Sequence, residues 1–221
     1  MIPALLYAFA LTGCIVTIDA MGCQMAIAAQ ILAREADYVL AVKDNQPTLH
    51  AEVRQAFTMA LETEDPRLRQ HSAEETGHGR HERRVAWVLP ASRHVSGRAA
   101  WVGLCTLVMV LRVVTCQVSG VETVEVHHYI SSLRPSARRL AQAIRGHWGI
   151  ENGLHWVLDV VFREDARRLY DRTAAENVGL LNRLATSLLR GDQAKGSLKI
   201  KRKRAGWNTH YLAQLLGIPS R

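Results

Sequence analysis

Residues 14–42, CIVTIDAMGCQMAIAAQILAREADYVLAV, contain two short apolar runs on either side of an alanine-rich stretch. Residues 14–18 and 38–42 are rich in apolar and β-branched side chains, and both runs predict strands buried on both faces. The alanine-rich stretch between them, residues 23–35, predicts a helix. A strand, a helix and a second strand within about thirty residues predict a parallel pair joined by a right-handed crossover.

The bulk composition limits the choice of fold and partner. The chain has 221 residues, 48% of them hydrophobic, which suffices for one ordinary domain or for one domain with an insertion. The formal net charge is +8, and five of the positive charges fall within residues 199–204. A basic run of this kind indicates a polyanionic partner, most often nucleic acid, unless the run is a solvated, disordered tail.

The cysteines and the N-terminal residues bear on the cellular compartment. Cys14, Cys23, Cys105 and Cys116 show no paired spacing, so we interpret them as buried or free thiols in a reducing compartment. Residues 1–18 carry no charge and approach the length of a membrane span, but no Lys or Arg precedes the run as in a signal peptide. We therefore expect a cytoplasmic protein with no membrane partner.

The remaining sequence changes character twice. A turn at residues 43–47 predicts a helix that follows it, and residues 62–84 are polar without a strong period. The valine-rich segments that follow predict strands at residues 85–89, 107–118 and 121–130. Beyond Pro135 the pattern predicts helices near residues 136–145, 148–161, 174–189 and 208–216, with a basic linker at 191–204.

A second informative stretch, IRGHWGIENGLHWVLDVVFRED at residues 144–165, places polar side chains in an apolar helix. At about 3.6 residues per turn, one line of the helix carries His147, Glu151, His155 and Asp159. A carboxylate flanked by Trp148 and Trp156 is costly unless something pairs with it. Glu151 therefore either pairs with His155 to support the helix or meets a metal, a basic partner or a substrate. The tryptophans either pack in the core or stack on a displaced base.

A second carboxylate, Asp19, follows the first predicted strand directly. Open α/β sheets place ligand sites at the carboxyl ends of their strands, although Asp19 could also serve only as a helix cap. Asp19 and Glu151 together suit a divalent cation because Mg²⁺ prefers oxygen ligands. Two such ions can activate a nucleophile and stabilise the leaving oxygen in phosphodiester cleavage. Lys43 and Arg145 are then phosphate contacts, or else ordinary surface charges.

Four segments resemble the ISAs1-type transposases, which are insertion-sequence enzymes of the IS4-like DDE group. They are residues 15–24 (IVTIDAMGCQ), 36–49 (ADYVLAVKDNQPTL), 129–133 (YISSL) and 144–166 (IRGHWGIENGLHWVLDVVFREDA). The resemblance implies DNA transposition and recombination through Mg²⁺- or Mn²⁺-dependent cutting and joining of double-stranded DNA, at insertion-sequence ends and in target DNA. It also implies a bacterial, nucleoid-associated location and leaves room for a homo-oligomer.

The same resemblance implies an α/β fold with a ribonuclease-H-like core, a β-rich insertion and a helical C-terminal region. Asp19 matches the second Asp of the catalytic triad and Glu151 matches its Glu, both as catalytic metal ligands. His147 and Trp148 precede that Glu, and Ile144 and His147 stand where the wider group has Tyr and Arg. No Asp or Glu precedes Asp19. We therefore expect a core incomplete at its N-terminus, without the first catalytic Asp, and little or no strand transfer by this chain alone.

The remaining expectations concern DNA contacts and domain organisation. The candidate DNA contacts are His147, Arg145, Lys43, Trp148, Arg83, Arg84, Lys201, Arg202, Lys203 and Arg204. The expected division is residues 1–65 for the first part of the core, 66–133 for the β-rich insertion, 134–198 for the catalytic helix and the helical remainder, and 199–221 for the basic segment and terminal helix. Two other functions stay open at this point: a noncatalytic DNA-binding remnant that modulates intact transposase, and a metal-dependent phosphohydrolase unrelated to DNA.

Overall fold

The computed structural model describes residues 2–77, 79–91 and 94–218, apart from the side chains of residues 150–152. The chain divides into two compact units, Met1–His147 and Trp148–Arg221. Its strands are β1 (Ile15–Ile18), β2 (Asp37–Val42), β3 (Arg69–Gly77), β4 (Arg80–Pro90), β5 (Thr106–Cys116) and β6 (Glu122–Ser131). Its helices are α1 (Ile2–Ala8), α2 (Met25–Ala33), α3 (Pro47–Glu62), α4 (Ala137–Ile150), α5 (Arg172–Gly191), α6 (Leu198–Trp207) and α7 (Thr209–Leu215).

The first unit is built on one six-stranded sheet with the strand order β1-β2-β6-β5-β4-β3. β1 and β2 are parallel, with α2 between them along the chain, which confirms the predicted strand–helix–strand unit. All other neighbouring strands are antiparallel. Because β6 pairs with both β2 and β5, the strands of the predicted insertion continue the sheet of the predicted core. The mixed α/β class is confirmed.

The two edge strands of this sheet were predicted less well than the inner strands. β3 lies in the polar segment at residues 62–84, for which the sequence pattern predicts no strand, and it pairs with β4 along its whole length. Almost all of its side chains are exposed, which explains why no apolar alternation marks it in the sequence. β1 is only half-buried along its length, and not buried on both faces as predicted, because it forms the opposite edge.

The core of the first unit lies between one face of the sheet and the helices α2 and α3. Leu40 and Leu107 of the sheet and Ile31 and Phe57 of the helices are all fully buried. The buried positions of α3 recur at helical spacing: Leu49, Val53, Ala56, Phe57 and Ala60. The hydrophobic effect therefore holds α3 along the sheet and fixes the turn that connects it to β2.

Two adjacent serines join the parallel and antiparallel parts of the sheet. The Ser131 hydroxyl, fully buried, donates to the carbonyl oxygen of Tyr38 at 2.7 Å and accepts from the Leu133 amide at 3.1 Å. The Ser132 hydroxyl accepts from the Tyr38 amide at 2.9 Å and donates to the Asp37 carboxylate at 2.8 Å. Buried backbone groups at the point where β6 leaves β2 are therefore satisfied by side chains.

A chain of polar side chains connects α3 to β6 near the end of β2. The Asp44 carboxylate lies 3.2 Å from Nδ1 of His50, and Nε2 of His50 lies 3.3 Å from Nδ1 of His128. His128 is 8% exposed. Burial lowers the pKa of His128 to about 4, and the neighbouring His50 and Arg54 act in the same direction. His128 is therefore neutral at pH 7.

The second unit consists of helices packed on a small apolar core. Val157, Leu158, Val161 and Phe162 pack against Leu189 of α5. Residues 198–204, predicted to be part of a basic linker, form the first part of α6, which also corrects the alternative of a disordered tail. The Ser197 side chain caps this helix by accepting from the Ile200 amide, and that capping serine is the sequence signal that marks the helix start.

The helix predicted at residues 148–161 is also wound differently from the prediction. The chain leaves the α-helical geometry of α4 at residue 151 and continues as π-helical segments, Glu151–His155 and Val157–Val161. Wider turns do not keep residues four apart on one line, so the predicted spacing of 3.6 residues per turn does not hold along these two segments. Glycines at positions 146, 149 and 153 weaken the preference for α-helix here.

We expect Ser131→Ala to lower the free energy of unfolding by about 1–3 kcal/mol, because it leaves the buried Leu133 amide without its partner. Urea denaturation of the purified chain measures this change. Ser72→Ala, at an exposed position of β3, is the matched control and should change stability by less than about 0.5 kcal/mol. Equal effects of the two substitutions would contradict the role of the serine junction.

We expect the protein to lose stability as the pH falls below about 6.5, the ordinary pKa of histidine in an unfolded chain. A histidine whose folded pKa is lowered is stabilising above that value, and the stability falls as pH drops toward 4. Between pH 7.5 and pH 5, His128 should lower the free energy of unfolding by about 2 kcal/mol. Urea denaturation at both pH values should show a smaller pH dependence for His128→Gln than for wild type.

The control for this measurement is His71→Gln, at a half-exposed position of β3. It should keep the pH dependence of the wild type. A His128→Gln variant with the full pH dependence of the wild type would show that another group controls it.

Candidate functional site

Asp19 lies directly after the carboxyl end of β1, as predicted, with an exposed side chain. Its carboxylate Oδ1 is 3.1 Å from the Nζ atom of Lys43, which directly follows β2. Asp19 precedes a short 3-10 helix, Ala20–Gly22, but its side chain makes no capping hydrogen bond there. The alternative that Asp19 serves as a helix cap is therefore not supported, and its carboxylate faces solvent and Lys43.

Two hydrogen bonds connect the loop that carries Asp19 to the loop that carries Lys43. The Asn45 side chain donates to the carbonyl oxygen of Ala20 at 2.6 Å, and the Gln46 side chain donates to that of Cys23 at 3.0 Å. Our reading of the sequence gave neither amide a role. Their position directly after the second parallel strand is the signal that could have identified them, because loops at this edge meet.

His147 connects the end of α4 to β1 within the first unit. Its Nδ1 atom lies 3.1 Å from the Thr17 hydroxyl, two residues before Asp19. Thr17 was not identified from the sequence, and its hydroxyl fixes the imidazole on this edge of the sheet. The structure thus brings together three predicted site residues, Asp19, Lys43 and His147.

The electrostatics of this edge favour an ionised carboxylate. Partial burial raises the pKa of Asp19, but the Ala20 amide, the Lys43 ammonium and the charge of His147 outweigh it. The pKa of Asp19 therefore lies below its ordinary value. An exposed, ionised carboxylate beside an ammonium group can bind a metal ion in place of the ammonium. Alternatively, the ammonium can contact both the carboxylate and a phosphate.

Three other predicted DNA contacts, two on β4 and one on α4, form ion pairs with glutamates of β3 and β4. Arg84 pairs with Glu82 at 2.6 Å and with Glu75 at 3.3 Å, and Arg145 pairs with Glu75 at 3.0 Å. Arg83 lies 3.7 Å from Glu74. These arginines already have carboxylate partners, so the sheet does not present them as free cations.

The basic residues of the second unit have unequal surroundings. The Lys201 ammonium is buried and donates to the backbone carbonyl oxygen of Asp192 at 2.6 Å. The same Nζ atom lies 3.4 Å from the side-chain carboxylate of Asp192. The Arg202 guanidinium donates to the carbonyl oxygen of Val161. The Arg204 guanidinium lies 4.4 Å from the ring centre of Tyr211. Lys203 is exposed. Lys201 thus supports the fold, whereas Lys203 faces solvent.

The remaining predicted site residues are Glu151 and Trp148. The backbone of Glu151 begins the first π-helical segment, but its side chain lies outside the described residues. Trp148 is half-buried, whereas Trp156 is 55% exposed, so Trp156 is not packed in the core. Among the side chains that the structure describes, no group of three or more His, Cys, Asp or Glu residues could hold a metal ion by itself.

Within residues 2–77, 79–91 and 94–218, no helix is both long enough and apolar enough to cross a membrane. The uncharged N-terminal stretch includes α1, which has seven residues.

Comparison with known proteins identifies the family. The family model described as the transposase DDE domain matches residues 1–188. The chain is 38% identical over 218 residues to "Putative transposase YncI" of Escherichia coli O157:H7, and 35% identical over 220 residues to "H repeat-associated putative transposase YhhI" of Escherichia coli strain K12. Each alignment covers 97% of this chain but 56% and 58% of the relative, so the chain spans little more than half the length of these curated relatives. No solved structure matches. On the family model and these identities together, the chain belongs to the family of transposase DDE domains.

Proposed function

We propose that this chain carries part of the metal-dependent DNA cutting and joining machinery of an ISAs1-type insertion-sequence transposase, on a ribonuclease-H-like core. The observation that carries the proposal is the exposed, ionised Asp19 carboxylate at the carboxyl end of β1, beside Lys43 and His147. The family membership supports the same chemistry, since 188 consecutive residues match a transposase DDE domain.

The residues at this edge suit a divalent cation. Asp19 provides a hard, ionised oxygen that is open to water, and Mg²⁺ is commonly held by one or two carboxylates together with several waters. From its match to the family motif, we also propose Glu151 as a catalytic metal ligand. Bound Mg²⁺ or Mn²⁺ supplies charge neutralisation at the reacting phosphate and activates a hydroxyl as the nucleophile.

Lys43 has a distinct role in this proposal. Its ammonium lies 3.1 Å from Asp19, and more than half of the Lys43 side chain is exposed. In the absence of a metal the ammonium neutralises the carboxylate. The ammonium lies on a flexible stem, so it could form an ion pair with a DNA phosphate instead of Asp19 if the carboxylate held a metal ion. Lys43 thereby orients the backbone phosphate next to Asp19.

His147 acts as a positioning residue at the same edge. Its hydrogen bond to Thr17 fixes the ring between α4 and β1, and the imidazole contributes to the lowered pKa of Asp19. Double-stranded DNA, as insertion-sequence ends and as target, is the proposed substrate. A homo-oligomer and a nucleoid-associated location remain predictions from the resemblance.

The proposal predicts that a divalent cation strengthens DNA binding through Asp19. Ca²⁺ is a suitable probe because it is also a hard cation with oxygen ligands. Fluorescence anisotropy with a labelled duplex should show several-fold tighter binding in Ca²⁺ than in EDTA. Asp19→Asn should remove this difference because the metal loses its ionised ligand, and it should leave the affinity in EDTA unchanged or slightly increased.

Asp44→Asn is the matched control for this experiment. Asp44 is an exposed aspartate on the neighbouring loop that pairs with His50 and not with Lys43. Its substitution should preserve the effect of Ca²⁺. If Ca²⁺ strengthened DNA binding equally in wild type and Asp19→Asn, or had no effect on the wild type, the proposed function would be refuted.

A further inference from the structure

The second unit contains a basic cavity of about 550 Å³. Four cationic side chains line it, together with the anionic Asp159 and apolar residues that include Val161. The four cations are Arg163, Lys199, Arg202 and Lys203. The floor at Val161 is buried, whereas the four cations are exposed to solvent.

The secondary structure directs these cations to one place. Lys199 and Lys203 are four residues apart on α6, so they lie on the same face of that helix. Arg163 follows the second π-helical segment and has a φ of +56°, an uncommon conformation for a residue with a side chain. Arg163 therefore lines the cavity from the end of the second π-helical segment, whereas the lysines line it from α6.

Arg202 is held in place before any ligand binds. Its guanidinium donates to the carbonyl oxygen of Val161 and lies 5.0 Å from the centre of the Phe162 ring. A planar guanidinium fixed in this way loses little conformational freedom on binding an anion. It keeps further N–H groups for a ligand because guanidinium carries five.

Among the side chains that the structure describes, the other cations of the cavity are not paired with a carboxylate. Within the described part of the chain, no Asp or Glu lies within salt-bridge distance of Arg163, Lys199 or Lys203. The neighbouring Lys201 is different, since it is buried and bound to Asp192, whereas Lys203 is exposed with its Nζ atom 5.8 Å from the centre of the Trp207 ring. Different faces of α6 therefore have different roles. Lys201 supports the fold, whereas Lys199 and Lys203 line the cavity.

We propose that this cavity binds a backbone phosphate of DNA, with Arg163, Lys199 and Lys203 as contacts and Arg202 as a fixed donor. Mutually repelling cations around a concave surface are stabilised by an anion, and a phosphate diester offers oxygens to several donors at once. The choice of DNA as the source of the phosphate rests on the proposed function. The site itself lies wholly within the second unit and requires no metal ion.

The test uses the full chain in EDTA, so that the metal-dependent part of DNA binding is absent. Anisotropy of a labelled duplex is measured over a series of salt concentrations, which gives the slope of log affinity against log salt. Lys199→Ala should reduce the magnitude of this slope by about 0.9, the value for one lost phosphate contact. Lys199→Ala with Lys203→Ala should reduce it by about twice that amount.

The matched control is Lys195→Ala, an exposed lysine four residues before Lys199 that does not line the cavity. It should keep the wild-type slope. Unchanged slopes in both cavity variants, or no binding of the duplex by wild type in EDTA, would overturn the proposal. Inorganic phosphate that binds the wild type, combined with unchanged DNA slopes, would identify a small-anion site and equally overturn it.

The two proposals fail separately in these measurements. Loss of the Ca²⁺ effect tests Asp19, whereas the slope in EDTA tests the cavity. A reduced slope in the cavity variants with no Ca²⁺ effect in the wild type would support the cavity and refute the metal site.

Discussion

The antiparallel pairing of β6 with β2 is the interaction on which the first unit depends. It joins a parallel strand pair to a long antiparallel sheet, and the buried Ser131 hydroxyl supplies the hydrogen bonds where the backbone leaves the pairing. The register places His128 opposite Val42, and Val42 is the residue directly before Lys43. Since β1 is parallel to β2, Asp19 and Lys43 emerge at the same edge, where an ion pair forms.

This edge and the basic cavity share one physical feature. Each has charged side chains without a fixed counter-charge, so each can bind a charged ligand. At Asp19 a carboxylate is matched by one flexible, exposed lysine that a metal ion can replace. In the cavity, four cationic side chains and one carboxylate line the wall. By contrast, Arg84 and Lys201 are matched by fixed carboxylates and contribute to the fold. The availability of a counter-charge, more than the residue type, separates proposed ligand contacts from structural residues.

The sequence predicts well where local pattern decides the structure. The parallel pair, α3 and the β5–β6 hairpin follow from apolar runs and turn residues, and the position of Asp19 follows from the strand that precedes it. Prediction failed where distant partners decide. β3 is stabilised by its neighbour and not by its own pattern, and Lys201 is buried because α6 packs beside Asp192. The role of Asn45 depends on the carbonyl oxygen of Ala20, which no local spacing indicates.

We propose that the carboxyl edge of β1 and β2 holds a divalent cation through Asp19. Paramagnetic broadening by Mn²⁺ of the backbone amide signals of the isotopically labelled chain tests this directly. We expect the signals of Asp19, Ala20 and Lys43 to broaden first, at Mn²⁺ concentrations that leave the hairpin turn at residues 119–120 unaffected, and Asp19→Asn to prevent this broadening. Broadening centred on Glu74 and Glu75, or unchanged broadening in Asp19→Asn, would refute the metal site.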